Sequence, residues 1–163
     1  DTAVYLHDSV LSYRQDNEGS SVNSPNKVHC VNDEYAEIHR WIVEDYAEAH
    51  SSQDVAKLLR FANIIKYDSY MWSYIRLNPK FYAEFLDRMA QEFRGALEAH
   101  EFELTDLKPW KRANLKAIVN DPQKWLTESE DFAGAGAMGR AKHYARIGGP
   151  GVVAAFVLDA IKK

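Results

Sequence analysis

Cysteine is nearly absent from this sequence, whose 163 residues include only Cys30. A single thiol cannot form an internal disulfide, which excludes a small secreted scaffold stapled by disulfides. N-glycosylation acceptors are also absent, because no asparagine has Ser or Thr at the third position of the motif. Both absences favour an intracellular protein, located in the cytoplasm or in a virion.

Long apolar runs are missing too. The longest extends from Val152 to Leu158, whereas a membrane-spanning helix needs about 20 apolar residues. The sequence therefore predicts that the chain does not enter a membrane.

Alternating apolar and polar residues, the pattern of a half-buried strand, are also lacking, whereas helical spacing is frequent. The strongest amphipathic run has Phe85, Met89 and Phe93 four residues apart, and we expect these three side chains in the core. This run extends from Phe81 to Leu104.

Asn78-Pro79 and Asp121-Pro122 each combine a helix cap with a proline at the first helical position, and Lys108-Pro109 begins another helix. Ser51 to Asp54 resembles a capping box, and Asp68 can cap a third, short helix. The sequence predicts an all-α fold, a compact bundle of about six to seven short helices.

The first 31 residues differ from the rest. Their middle, Asp16 to Asn26, is polar and rich in turn-forming residues, which leaves too little apolar surface to fold alone. We predict an extended N-terminal arm over residues 1–31 and a helical domain over 32–163, beginning after an Asn32-Asp33 cap. The apolar anchors Tyr5, Leu6, Leu11 and Tyr13 could contact a neighbouring copy.

Motifs for metal binding and catalysis are incomplete. His100-Glu101 begins a zinc-protease motif, but Leu104 stands where the second histidine belongs. His29 and Cys30 have no second ligand pair at zinc-finger spacing, and no Gly-x-Ser-x-Gly nucleophile elbow is present. We therefore expect no metal, no cofactor and no catalytic residues, although a site assembled from distant residues remains an alternative.

Charge is distributed unevenly. Residues 1–107 hold 10 Lys+Arg against 19 Asp+Glu, and residues 108–163 hold 10 against 5. Basic residues with interleaved aromatics suit a nucleic-acid backbone, although the same residues are equally compatible with a solvated helix face. The candidate anion-binding residues are Lys111, Arg112, Lys116, Arg140, Lys142 and Arg146. The last three follow a glycine-rich loop, residues 134–139, which lacks the preceding strand of a nucleotide-binding fold.

Aromatic residues concentrate between Phe61 and Phe85. Tyr67, Tyr70 and Tyr74 share one helical face, and Trp72 lies on another, so one face could be buried in the core and the other in an interface. A cofactor pocket and simple core packing are the alternatives.

These features favour a non-catalytic, self-assembling helical protein, such as a coat or nucleocapsid-type subunit that contacts nucleic acid through its basic C-terminal third. A helical effector or protein-binding module and an all-α enzyme or cofactor carrier are alternatives.

Overall fold

Helices account for almost all of the computed structural model, which describes residues 30–129, 132 and 134–161. The predicted all-α class is confirmed, with six helices and no strand in the described part. They are α1 (Cys30–Trp41), α2 (Ser52–Tyr74), α3 (Tyr82–Glu98), α4 (Pro109–Asn120), α5 (Pro122–Glu128) and α6 (Ala137–Ile161). A π-helical turn (Ile42–Tyr46) extends α1, and 3₁₀ turns cover Pro79–Phe81 and Leu104–Asp106. The predicted arm lies outside the described residues, apart from Cys30 and Val31.

Side-chain caps begin two of the six helices, α2 and α5. The Ser51 hydroxyl accepts a hydrogen bond from the Asp54 N–H (3.2 Å), and Asp121 accepts one from the Lys124 N–H (2.9 Å). These side chains satisfy N–H groups that a helix leaves without internal acceptors.

Two predicted boundaries are wrong. Asn32 does not cap α1 but lies inside it, fully buried, where its Nδ2 donates to Glu92 of α3 (3.3 Å). A separate helix beginning at Asp68 does not exist, since α2 continues through Tyr74. Asp68 pairs with Lys111 instead of capping a helix.

The apolar run from Phe81 also ends earlier than predicted. Helix α3 closes when His100 adopts a left-handed conformation (φ 55°), so that the Glu101 N–H reaches the Ala96 carbonyl (3.0 Å). This arrangement is a Schellman cap, which usually has glycine in the left-handed position. Leu104 therefore lies in a separate 3₁₀ turn.

The core surrounds α3. The predicted core residues Phe85, Met89 and Phe93 are all at most 1% exposed. Tyr70 of α2 contacts the rings of Phe85 and Phe93, with centroids 5.8 and 5.7 Å away. These aromatic contacts join α2 to α3.

A break divides α6 into a first half (residues 137–148) and a second half (residues 150–161). Gly149 has non-helical angles (φ 74°, ψ −172°), and Pro150 follows. By length and composition, α6 is the one described helix that could cross a membrane. Each half spans only about 18 Å at 1.5 Å per residue, against a hydrocarbon core of about 30 Å.

Replacing Phe93 by alanine should lower the free energy of unfolding by about 3–5 kcal/mol, because the cavity cannot collapse fully. Chemical denaturation measures this change. Phe61→Ala is the matched control: Phe61 is 59% exposed, so its loss should cost no more than about 0.5 kcal/mol. An equal effect of the two variants would contradict the core assignment.

Candidate functional site

The six predicted anion-binding residues do not form one surface. The Lys111 ammonium is half-buried against the Asp68 carboxylate (2.5 Å). The Arg112 guanidinium donates to the backbone carbonyls of Leu104 (3.1 Å) and Leu107 (3.3 Å), which closes the turn before α4. Both cations are therefore occupied by contacts that stabilise the fold.

Arg140 is also separated from the other basic residues of α6. Its guanidinium carbon lies 5.7 Å from the centre of the Phe132 ring. Its Nε is buried, with no hydrogen-bond partner among the described residues. Arg140 borders a small cavity of about 150 Å³ beside Trp110 and Tyr144, whereas Lys142 and Arg146 face elsewhere.

Lys142 and Arg146 meet in a larger cavity. Both are exposed, lie one turn apart on α6 and form no ion pair within the described part of the chain. The cavity, which we call the basic cavity, encloses about 510 Å³ between the end of α5 and the start of α6. Its lining residues are Thr127, Glu128, Ser129, Phe132, Ala135, Gly139, Lys142, His143 and Arg146. Lys116, on α4, is exposed but does not line it.

A chain of hydrogen bonds leads from this cavity into the core. The hydroxyl oxygen of Ser129 is 3.0 Å from His143 Nδ1, and His143 Nε2 is 2.8 Å from Asn114 Oδ1. The same Asn114 oxygen accepts the indole N–H of Trp125 (2.9 Å). Ser129, His143 and Asn114 are at most 4% exposed.

The chain of hydrogen bonds determines which atoms of His143 and Asn114 carry protons. An indole can only donate, so the Asn114 atom facing Trp125 must be the carbonyl oxygen. His143 Nε2 faces the same oxygen and must therefore carry a proton. Nδ1 is left with its lone pair, so the Ser129 hydroxyl donates to it. The amide nitrogen of Asn114 donates to the Tyr67 hydroxyl (3.0 Å).

Burial lowers the pKa of His143 to about 4, and the nearby charge of Arg146 contributes to the shift. A neutral imidazole is consistent with the proton assignment, because Nδ1 must remain free to accept. Aromatic rings also fix the imidazole: the centroids of Phe132 and Trp125 lie 4.8 and 5.5 Å from it.

The sequence did not reveal this arrangement. Ser129 and Asn114 are 14 and 29 residues from His143, and only the packing of α4, α5 and α6 brings them together. The available signal was a polar residue, Asn114, beside Leu115 and Ile118 on the apolar side of α4.

The aromatic segment has one buried face and one exposed face, as its spacing predicted. Tyr67, Tyr70 and Tyr74 are buried, whereas Trp72 is 46% exposed and stacks against the guanidinium of Arg76 (3.6 Å). The predicted interface residues Tyr5, Leu6, Leu11 and Tyr13 lie outside the described residues.

The second half of α6 is apolar on two sides. Val152, Val153 and Phe156 pack against the core. On the other side Val157, Leu158 and Ile161 are 42%, 57% and 75% exposed, and Ala154 is exposed beside them. The spacing of these four outward residues, i, i+3, i+4 and i+7, forms one stripe along the helix. We call it the outer stripe.

No group of three or more His, Cys, Asp or Glu side chains within the described residues is arranged to hold a metal ion. No protein-family model, no curated protein and no solved structure matches the chain. The basic cavity and the outer stripe are therefore the features of the structure that bear on function.

Replacing Arg146 by glutamine should raise the pKa of His143 from about 4 towards its ordinary value of about 6.5. Removal of the neighbouring positive charge makes the imidazolium less unfavourable. A pH titration of the His143 ring followed by NMR measures the shift, with Lys57→Gln on α2 as the control.

The same lowered pKa makes stability depend on pH. Because His143 binds a proton more readily in the unfolded chain, its contribution is complete above about pH 6.5 and is lost as pH falls towards about 4. Denaturation curves across this window should show a smaller decline for His143→Gln than for the wild type. An identical decline would contradict the assignment.

Proposed function

We propose that this protein is a self-assembling helical structural subunit whose copies pair through the outer stripe. The observation that carries the proposal is the exposure of Val157, Leu158 and Ile161 on a helix whose opposite side already packs against the core. A contiguous apolar face of this kind is typical of an interaction site.

A second copy suits the stripe better than an unlike partner. The only charged side chain between residues 150 and 161 is Asp159, which pairs with Lys108 of the same chain. Between residues 150 and 161, no side chain other than this paired carboxylate therefore brings a charge into the contact when two stripes meet about a two-fold axis. The spacing of the stripe also matches the seam along which antiparallel helices interlock.

Replacing Leu158 by aspartate should dissociate the assembly, because two buried carboxylates would face each other across the axis. Light scattering with mass determination measures the change from an oligomer to a monomer. The melting temperature of a subunit should change little, since Leu158 is 57% exposed. Ala56→Asp, at an exposed position of α2, is the matched control and should leave the mass unchanged.

Two results would contradict this pairing. One is a monomeric wild-type protein at all accessible concentrations. The other is binding of the wild type, but not of Leu158→Asp, to phosphatidylcholine vesicles, which would assign the stripe to a lipid surface instead.

Contact with a nucleic acid is a second element of the proposed function. Its support is the pair Lys142 and Arg146, which are exposed together at the basic cavity without an ion-pair partner in the described chain. Lys116 can add to this contact, whereas Lys111 and Arg112 have internal partners. A weak contact per subunit is sufficient in an assembly, because many contacts along one strand act together.

The variant Lys142→Gln/Arg146→Gln should weaken binding to a single-stranded oligonucleotide and flatten its salt dependence. Each lost phosphate contact lowers the log–log slope by about 0.7 for single strands, so the double variant should lose about 1.4. Fluorescence anisotropy over a salt series measures the slope, and Lys57→Gln is the control. Absence of binding by the wild type at low salt would contradict this contact.

A further inference from the structure

Ser129 and His143 are the two members of the buried hydrogen-bond chain that border the basic cavity, whereas Asn114 and Trp125 do not. A serine becomes a nucleophile when a base lies within hydrogen-bond reach and a third group orients that base. Both requirements are met here, through the 3.0 Å contact of Ser129 with His143 and the 2.8 Å contact of His143 with Asn114. An asparagine can serve as the orienting group.

Two of the three groups lie within helices, and the third follows a helix directly. Asn114 lies within α4, Ser129 follows α5 directly, and His143 lies within the first half of α6. The imidazole is enclosed by Trp125 and Phe132. No side chain needs to change its rotamer for the serine proton to reach Nδ1, which is the preorganisation that catalysis requires.

The charges around the cavity indicate the substrate. Lys142 and Arg146 lie beside the Ser129–His143 pair, and the charge of Arg146 disfavours the imidazolium that forms when His143 accepts a proton. A substrate anion next to Arg146 would offset that charge at the moment of proton transfer. An anionic substrate would therefore both bind more tightly and react faster than a neutral one.

We propose that the basic cavity is a hydrolytic site for carboxylic esters that carry an additional anionic group, with Ser129 as the nucleophile and His143 as the general base. Asn114 is a positioning residue that holds the His143 tautomer. The proposal does not depend on the assembly. It uses the same two cations, Lys142 and Arg146, as the proposed nucleic-acid contact, whereas Ser129 and His143 belong to the hydrolytic site alone.

In the first step the Ser129 oxygen forms a bond with the ester carbonyl carbon while its proton passes to His143 Nδ1. The carbon–alkoxide bond then breaks, and the imidazolium returns the proton to the leaving alkoxide. Water repeats the sequence on the acyl-serine and releases the acid. Gly139, in the first turn of α6, lines the cavity. Its N–H belongs to the turn whose N–H groups have no intrahelical acceptor, so it can donate to the oxyanion.

Titratable groups near His143 lie on several elements. Lys142 and Arg146 lie on its own helix, Glu128 of α5 lines the same cavity, and the Tyr67 hydroxyl of α2 contacts Asn114. Glu130 and Asp131 follow Ser129 in the sequence and lie outside the described residues. Activity should rise as His143 loses its proton near pH 4 and then reach a plateau.

The first experiment uses the full-length protein and a fluorophosphonate probe, with the labelled residue located by peptide mass spectrometry. We expect an adduct on Ser129 in the folded protein that is absent in Ser129→Ala and retained in the control Ser52→Ala. A folded protein without an adduct on Ser129, or equal labelling of the urea-unfolded chain, would overturn the proposal.

The second experiment compares hydrolysis of the 4-nitrophenyl monoester of succinic acid with that of neutral 4-nitrophenyl butyrate. Ser129→Ala, verified as folded by its melting temperature, should lose about 10²-fold or more in rate. Lys142→Gln/Arg146→Gln should lose the preference for the anionic ester, measured as the ratio of the two rates within that variant. An unchanged rate in Ser129→Ala, or an unchanged preference in the double variant, would overturn the assignment.

A third measurement tests the role of Asn114. Asn114→Asp places a carboxylate beside His143 Nε2, which should stabilise the imidazolium and shift the low-pH limb of the rate profile upward. A residue that only supports the fold would leave the limb in place. An unshifted limb in a folded variant would therefore remove Asn114 from the proposed site.

Discussion

The side-chain carbonyl of Asn114 is the acceptor on which the C-terminal part of the fold depends. It lies in the core, fully buried, and receives two N–H groups, one from Trp125 and one from His143. Neither donor has a solvent alternative, and an unsatisfied buried donor costs about 1–3 kcal/mol. One amide therefore fixes the relative positions of α4, α5 and α6. The same constraint sets the protonation of His143 and aims the Ser129 proton at it.

A second polar centre, around Glu92, joins α1, α2 and α3 through charged groups. Glu92 of α3 receives Asn32 from α1, Lys66 and Tyr70 from α2, and Arg88 from its own helix. Burial alone would raise its pKa, yet Lys66, Tyr70 and Arg88 hold the pKa below its ordinary value. This centre depends on charge and weakens when Glu92 is protonated, whereas the Asn114 centre depends on the neutrality of His143. Acid weakens both centres, because protonation removes the charge of Glu92 and adds a charge to His143.

Sequence reasoning captured what is encoded locally. Three kinds of feature depend only on neighbouring residues and were predicted. They are the Ser51 cap, the helix starts at Pro79, Pro109 and Pro122, and the buried face of α3. Asn32 was misassigned because a good capping residue can also be a buried hydrogen-bond donor, and only the position of Glu92 decides between the two. The hydrogen-bond chain at His143 was not foreseeable for the same reason. Its members become neighbours only through tertiary packing.

The break at Gly149 allows the two halves of α6 to make different packing contacts, which one straight helix could not make together. The first half must approach α4 closely enough for His143 to reach Asn114, and Gly148 allows this approach, since a Cβ there would lie 3.2 Å from that of Ala113. The second half must cover Trp110 with Phe156, whose ring centroids are 5.7 Å apart, and still leave the outer stripe exposed. Because the change in direction falls between the halves, partner contacts on the stripe need not cover the basic cavity. Occupancy of one surface therefore need not block the other.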